Sequence, residues 1–166
     1  MEIYTLTMLY ALAHFLRDKT PWIWTMLDVV NSALFALRYD RKLNALETRI
    51  MAKYTAKAGY KVCRMRDVNA SQLVDFFKNQ PKEAFKYFKP HGFDEKSILS
   101  LQQNKSFLAY VLLDNDRIAG YCFNRSFFHG KGFRGRMIGI NHRGRGLGTL
   151  INKLLNEIGF GIGLQL

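Results

Sequence analysis

A chain of 166 residues, 48% hydrophobic and 14% aromatic, is long enough to bury an ordinary core and too apolar to remain disordered, so one folded domain with a small extension is expected. The net charge of +12 and the pI near 9.9 favour an anionic partner, whether nucleic acid, a phosphorylated cofactor or an acidic membrane surface. Cys63 and Cys122 stand alone, with no C-x-x-C spacing or Cys/His cluster, which argues against a disulfide framework or a metal site and predicts reduced, buried thiols in a cytoplasmic protein.

The first stretch, "MEIYTLTMLYALAHFL", starts with Glu2, lacks a basic leader and runs into Arg17 and Asp18 without a small-residue cleavage pattern, so it is a poor signal peptide. The next run, "PWIWTMLDVVNSALFAL" (21–37), carries Asp28 and Asn31 and is shorter than the roughly 20 apolar residues that span a bilayer. Neither run reads as transmembrane. Pro21 after Thr20 fits the first helical position after an N-cap, and residues 1–50 read as two or three helices, the last carrying "RKLNALETRIMAKY". Residues 1–58 are therefore expected to form a helical extension. Trp22, Trp24, Phe35 and Leu37 read as core or interface, the first three expected to be buried against the domain or a second subunit of a homodimer, and peripheral membrane contact through an in-plane surface helix is the alternative.

From Gly59 the pattern changes to mixed α/β. "YKVCRMRDV" reads as a strand, and "NASQLVDFFKN" as a helix capped at Asn69 or Ser71 with apolar residues at 73, 76 and 77. A second helix starts at Asp94, with Ile98 and Leu101 on one face. "SFLAYVLLDNDRIAGYCF" reads as a hairpin turning at Asp114-Asn115-Asp116, and "GFRGRMIGI" as a further strand. "LGTLINKLLNEIG" is a helix with Leu147, Leu150, Ile151, Leu154, Leu155 and Ile158 toward a core, and "FGIGLQL" is expected to be one more strand.

Between the last strand and the last long helix lies "RGRGLG" (143–148), three glycines and two arginines in six positions. Glycines there leave the backbone N–H groups uncovered, and the helix that begins near Leu147 adds its own unpaired amides and positive dipole end. A strand, a glycine turn and a helix N-terminus make a phosphate cradle, with Arg143 and Arg145 at its rim. From Arg117 through Asn156 no acidic residue occurs while eight lysines and arginines do, which again favours an anion. A dinucleotide fingerprint would need G-x-G-x-x-G and a later acidic residue, and a P-loop would need Gly-Lys-Ser/Thr. Both are absent.

The spacing Arg143-x-x-Gly146-x-Gly148 resembles the R/Q-x-x-G-x-G/A signature of the GNAT superfamily of acetyl-CoA-dependent N-acetyltransferases. The order of strand, two helices, hairpin, strand, loop, helix and strand over about residues 60–166 is similar to that family's domain. The resemblance implies a central mixed β-sheet flanked by helices over 59–166, acyltransferase activity, acetyl-CoA as the acetyl donor and no metal. Backbone amides of Arg143, Gly144, Arg145, Gly146, Leu147 and Gly148 would hold the coenzyme A pyrophosphate, with the hydroxyl of Thr149 beside them. Ile138 and Ile140, placed in the strand before the loop, would offer main-chain groups to the pantetheine arm and polarise the thioester carbonyl.

Family members usually continue into another helix and further strands, which carry an Asn that binds cofactor and a Tyr that protonates the thiolate. This chain stops at Leu166, so the resemblance implies a domain whose C-terminal part is missing: a fragment, a truncated protein, or one completed from elsewhere. The frequent Pro of the family's V-x-P segment is Ile140 here. A base is needed to deprotonate the amine, and no carboxylate lies near the loop in sequence. His142, His129 and Tyr121 are the candidates. The acceptor is an amine on a small molecule or peptide, and the basic charge suits an anionic one, such as a nucleotide-linked amino sugar or an acidic peptide. Two other classes compete. One is a basic nucleic-acid-binding module using Phe123, Phe127, Phe128 and Phe133, although its RGG-like motif occurs once and not as a repeat. The other is a degenerate, non-catalytic interaction protein.

Overall fold

The computed structural model describes residues 21–86 and 88–165. It is a mixed α/β fold in three layers. Helix α1 (Pro21–Ala58) leads into strand β1 (Lys61–Arg64), then come α2 (Ala70–Lys78), α3 (Glu95–Gln103), β2 (Phe107–Asp114), β3 (Arg117–Ser126), β4 (Gly132–Ile138) and α4 (Leu147–Ile162). The four strands form one antiparallel sheet in the order β1-β2-β3-β4.

Each face of the sheet is covered, which is why β2 reads as an unbroken apolar run, buried from Phe107 to Leu113. Leu108, Tyr110 and Leu112 pack beneath α1 and α4, against Phe35, Leu43, Ile151 and Leu155. Phe107, Ala109 and Val111 point the other way, toward α2, α3 and an aromatic cluster around Phe77 and Phe123. Asn69 caps α2 by accepting from the Ser71 amide, and Asp94 caps α3 by accepting from Ser97. The β2–β3 turn holds Asn115 and Asp116 at φ 44° and 66°, the mirror-image turn whose twist suits a two-residue hairpin.

One irregularity shapes the end of the sheet. Leu112 pairs with Gly120 but Leu113 with Ile118, so Ala119 is the extra residue of a bulge. Its carbonyl accepts from the Gly139 amide at 2.8 Å, which fixes where the chain leaves β4.

Several expectations are corrected. Of the two or three helices expected over 1–50, the one carrying "RKLNALETRIMAKY" starts at Pro21 and runs past residue 50 to Ala58 as a single helix, because no glycine or proline interrupts it after Pro21. The expected helices before Pro21 lie outside the described residues. Phe35 is fully buried, whereas Trp22, Trp24 and Leu37 are exposed in the single chain, so they are not buried against the domain; Trp22 and Leu37 lie on the face of α1 turned away from the sheet. The first strand ends at Arg64, where Met65 turns into the core through a 3-10 turn, Met65–Asp67. "FGIGLQL" is not a strand. α4 continues to Ile162, ends on Gly163 at φ 94°, and leaves only Gln165 in a single parallel bridge with Lys131. The helix persists because Ile158 and Ile162 remain on its buried face and Gly161 lies against Leu46. Of the six expected core positions of α4, five are buried and Leu150 is half-buried.

Polar groups tie α1 down. Asp28 accepts twice from Arg125, at 2.8 and 2.6 Å, and Asn31 bridges Ser106, the Ser126 carbonyl and the Phe128 amide. Deeper, the buried carboxylate of Glu47 accepts from the Tyr110 hydroxyl at 2.7 Å and forms an ion pair with Arg64 at 2.8 Å. α4 is gripped at three successive residues: the Leu155 carbonyl accepts from Asn124, Asn156 accepts from Arg134, and Glu157 accepts from Lys53 and Tyr54 of α1. Burial, with the Glu157 carboxylate beside it, pushes the Tyr54 phenol up to about 12.

Candidate functional site

The loop between β4 and α4 is built around two glycines in left-handed backbone, a conformation that few other residues adopt without strain. Gly144 and Gly146 adopt φ 75° and 74°, and Gly146 is the residue that caps α4. A Cβ at either position would meet no atom within 4 Å, so backbone conformation, not crowding, demands glycine, and open space lies in front of the loop. From Gly144 to Gly148 no amide has an acceptor among the described residues; intrahelical bonding begins with Thr149 and Leu150, which donate to the Gly146 carbonyl at 3.1 Å. These amides, with the positive end of the α4 dipole behind them, form a concave donor set for an anion.

Arginines surround it. Arg136 comes from β4, its Nε 3.8 Å from where a Gly148 Cβ would stand. Arg145 donates to the Tyr60 hydroxyl at 3.1 Å, and Arg143 reaches back to the Ile138 carbonyl at 3.4 Å. The Thr149 side chain is exposed in the first turn of α4. Ile138 is the last residue of β4. Ile140 is not in the strand as expected, because the Gly139 contact with the bulge turns the chain into a 3-10 turn, Ile140–His142. Its amide is engaged by the Gln80 side chain at 3.2 Å.

Beside the cradle stands His142. Its Nδ1 lies 3.8 Å from an Asp114 carboxylate oxygen and 3.5 Å from the Tyr60 hydroxyl, and its ring meets that of Tyr60 edge-on. A lone histidine in the sequence thus acquires a carboxylate from the last residue of β2 and a phenol from the bend that follows α1. Neither partner could be found by spacing, since they lie 28 and 82 residues away. His142 also lines a cavity of about 370 Å³ that runs from the C-terminal end of α2, with Asp75, Asn79 and Gln80, to Asp116 and Arg117 of the hairpin turn.

The other two candidate bases are elsewhere. Tyr121 is fully buried between the sheet and α2, where its hydroxyl donates to His91 and burial raises its pKa far above the ordinary range. His129 sits in the β3–β4 turn, at the opposite end of β4 from the cradle, stacked on Phe127. The aromatic series expected on a nucleic-acid surface is also divided, since Phe127, Phe128 and Phe133 are exposed but Phe123 is buried in the core. Cys122 is buried and Cys63 half-buried, both unpaired, and burial raises the pKa of each thiol. Among the described residues no three His, Cys, Asp or Glu side chains gather into a metal-holding group, and no helix is long and apolar enough to cross a membrane.

Comparison with protein-family models, with curated proteins and with solved structures finds nothing that matches this chain.

Proposed function

We propose that the chain is an N-acetyltransferase of the GNAT type, and that the 143–149 loop holds the pyrophosphate of acetyl-CoA. The observation that carries the reading is the run of unpartnered amides from Gly144 to Gly148 at the start of a helix, beside three arginines. A pyrophosphate needs several convergent donors and no side chain in the way, and this loop supplies both.

Bound there, acetyl-CoA supplies an activated acetyl thioester. The residues of the chain do the rest. Arg143 and Arg145 neutralise the phosphates at the rim. The carboxylate of Asp114, near Nδ1 of His142, favours the tautomer with its proton on Nδ1 and leaves Nε2 free to take a proton from an ammonium acceptor. Asp114 then stabilises the imidazolium. The cavity beside His142 receives the acceptor amine. It offers two carboxylates, Asp75 and Asp116, against one guanidinium, Arg117, and several side-chain amides. That set suits a hydrogen-bonding cationic amine better than the anionic acceptor that the net charge alone favours.

Calorimetric titration of the folded protein with acetyl-CoA and with coenzyme A tests the cradle. Micromolar binding weakened by salt is expected, with no comparable retention of DNA or RNA. No binding by a well-folded protein would overturn it. Retention of nucleic acid in the absence of coenzyme A binding would favour the basic-module reading.

A further inference from the structure

The first half of α1 carries its apolar residues on the outside. At 3.6 residues per turn, Val29, Trp22, Met26, Leu37, Val30 and Leu34 fall within an arc of roughly 140°, and all six are exposed, from 39% at Leu34 to 85% at Leu37. The side that faces the sheet is the more polar one, holding Asp28, Asn31 and Ser32 in bonds to β3 and to the turns that flank β2 and β3, with Phe35 buried below them. Asp28 is the only charged residue between Pro21 and Leu37, and its pairing with Arg125 leaves the outward arc uncharged. A contiguous apolar stripe of this extent on a folded chain marks an interaction surface.

What borders the stripe identifies the partner. Exposed Arg38, Arg41 and Lys42 follow within five residues of Leu37, with half-buried Asp40 among them, so the border is net basic. Phe127 and Phe128, both exposed, lie alongside in the β3–β4 turn, joined to α1 by the bond from the Phe128 amide to Asn31 and the bond from Arg38 to the Phe128 carbonyl. Lys131 is exposed in the same turn. Two copies of a chain carrying +12 repel one another, whereas an anionic lipid surface attracts both the net charge and the basic border. We propose that this face docks the protein on anionic lipid headgroups, with the first half of α1 lying in the plane of the interface and its apolar arc reaching the acyl boundary. The inference is independent of the transferase reading.

Both tryptophans of the chain, Trp22 and Trp24, belong to this segment, so intrinsic fluorescence reports on it directly. The test is sedimentation of the full chain with vesicles of phosphatidylcholine, with and without phosphatidylglycerol, while tryptophan emission is followed. Binding to the anionic vesicles is expected, with emission shifting to the blue and binding falling as salt rises. Val30→Asp and Leu37→Asp, at exposed positions that should leave the fold intact, should each weaken it at least about tenfold. Leu99→Asp, an exposed leucine on α3 across the sheet, should not. The proposal is overturned if wild type fails to partition, or if Leu99→Asp costs as much as Leu37→Asp. It is equally overturned if ultracentrifugation shows a dimer that Leu37→Asp dissociates while vesicles leave tryptophan emission unmoved, which would place a second copy on this face.

Discussion

The hydroxyl of Tyr121 donates to Nε2 of His91 at 2.9 Å, and the other ring nitrogen, Nδ1, donates to the Gly92 carbonyl at 2.7 Å. A carbonyl can only accept, so Nδ1 carries the proton, and in the neutral ring that burial favours Nε2 is the nitrogen that accepts from the phenol. Burial lowers the His91 pKa below its ordinary 6.5, and the charge of Arg125 acts in the same direction, while the Gly92 bond opposes them. The unfolded chain therefore takes up a proton first as pH falls, and this contribution to stability, complete above about 6.5, is lost below it. Thermal melting from pH 7.5 down to 5 should show a steeper fall for wild type than for His91→Gln, and parallel curves would contradict the neutral assignment.

Gly144 and Gly146 sit in left-handed backbone with free space around them. Gly146→Val should cost about 1–2 kcal/mol of folding stability from the conformation alone, and about 2–3 kcal/mol of coenzyme A affinity through the loss of one or two charge-assisted hydrogen bonds. Gly146→Asn, a residue that tolerates this conformation, should restore most of the stability. Urea unfolding beside calorimetry separates the two effects.

His142→Gln should lower kcat by about 10²–10⁴-fold if the ring is the general base, while coenzyme A binding stays within about twofold. Asp114→Asn should lower kcat less. A kcat unchanged in His142→Gln would remove the imidazole from the reaction.

Glu47 is buried with a charged and a neutral partner. Glu47→Ala strands the Arg64 guanidinium and the Tyr110 hydroxyl and should cost about 3 kcal/mol. Glu47→Leu combined with Arg64→Met and Tyr110→Phe should recover much of it, because no buried polar group is then left unmatched. Denaturant midpoints of the single and triple variants decide.

Asp116 occupies the second position of the hairpin turn at φ 66° and lines the cavity beside His142. Asp116→Gly relieves the backbone and should gain about 0.5–1 kcal/mol of stability. If Asp116 helps to hold a cationic acceptor, KM for the amine should rise in the same variant. A rise in Tm with unchanged KM would separate the turn from the site.

Local signals read well from the sequence because their causes are local. Asn69 and Asp94 cap their helices through bonds to residues two or three positions on, and Gly146 starts α4 where the glycine spacing places a helix N-terminus. The hairpin follows from Asn115-Asp116. The misreadings arose where tertiary packing decides. "FGIG" alternates like a strand, yet Ile158 and Ile162 have a buried groove to fill and hold the helix through Gly159 and Gly161. The sequence of the apolar run at 21–37 leaves core, subunit interface and membrane surface open, and it is Asp28 and Asn31 that choose the face meeting the sheet and turn Trp22 outward. At the site, the cradle was legible and its neighbours were not. Asp114 and Tyr60 reach His142 only after the sheet brings the end of β2 and the bend that follows α1 to the same edge.

The triple grip on Leu155, Asn156 and Glu157 has a bearing on the far end of the same helix. β3, β4 and α1 each hold one of three successive residues in the middle of α4, so the helix axis cannot swing or roll there without breaking contacts to the sheet and to α1. Its first-turn amides inherit that stillness. Whatever anion arrives meets donors already aimed, and the ordering cost falls on folding and not on association. The chain thus attaches a loop of unpartnered amides to a helix held from β3, β4 and α1.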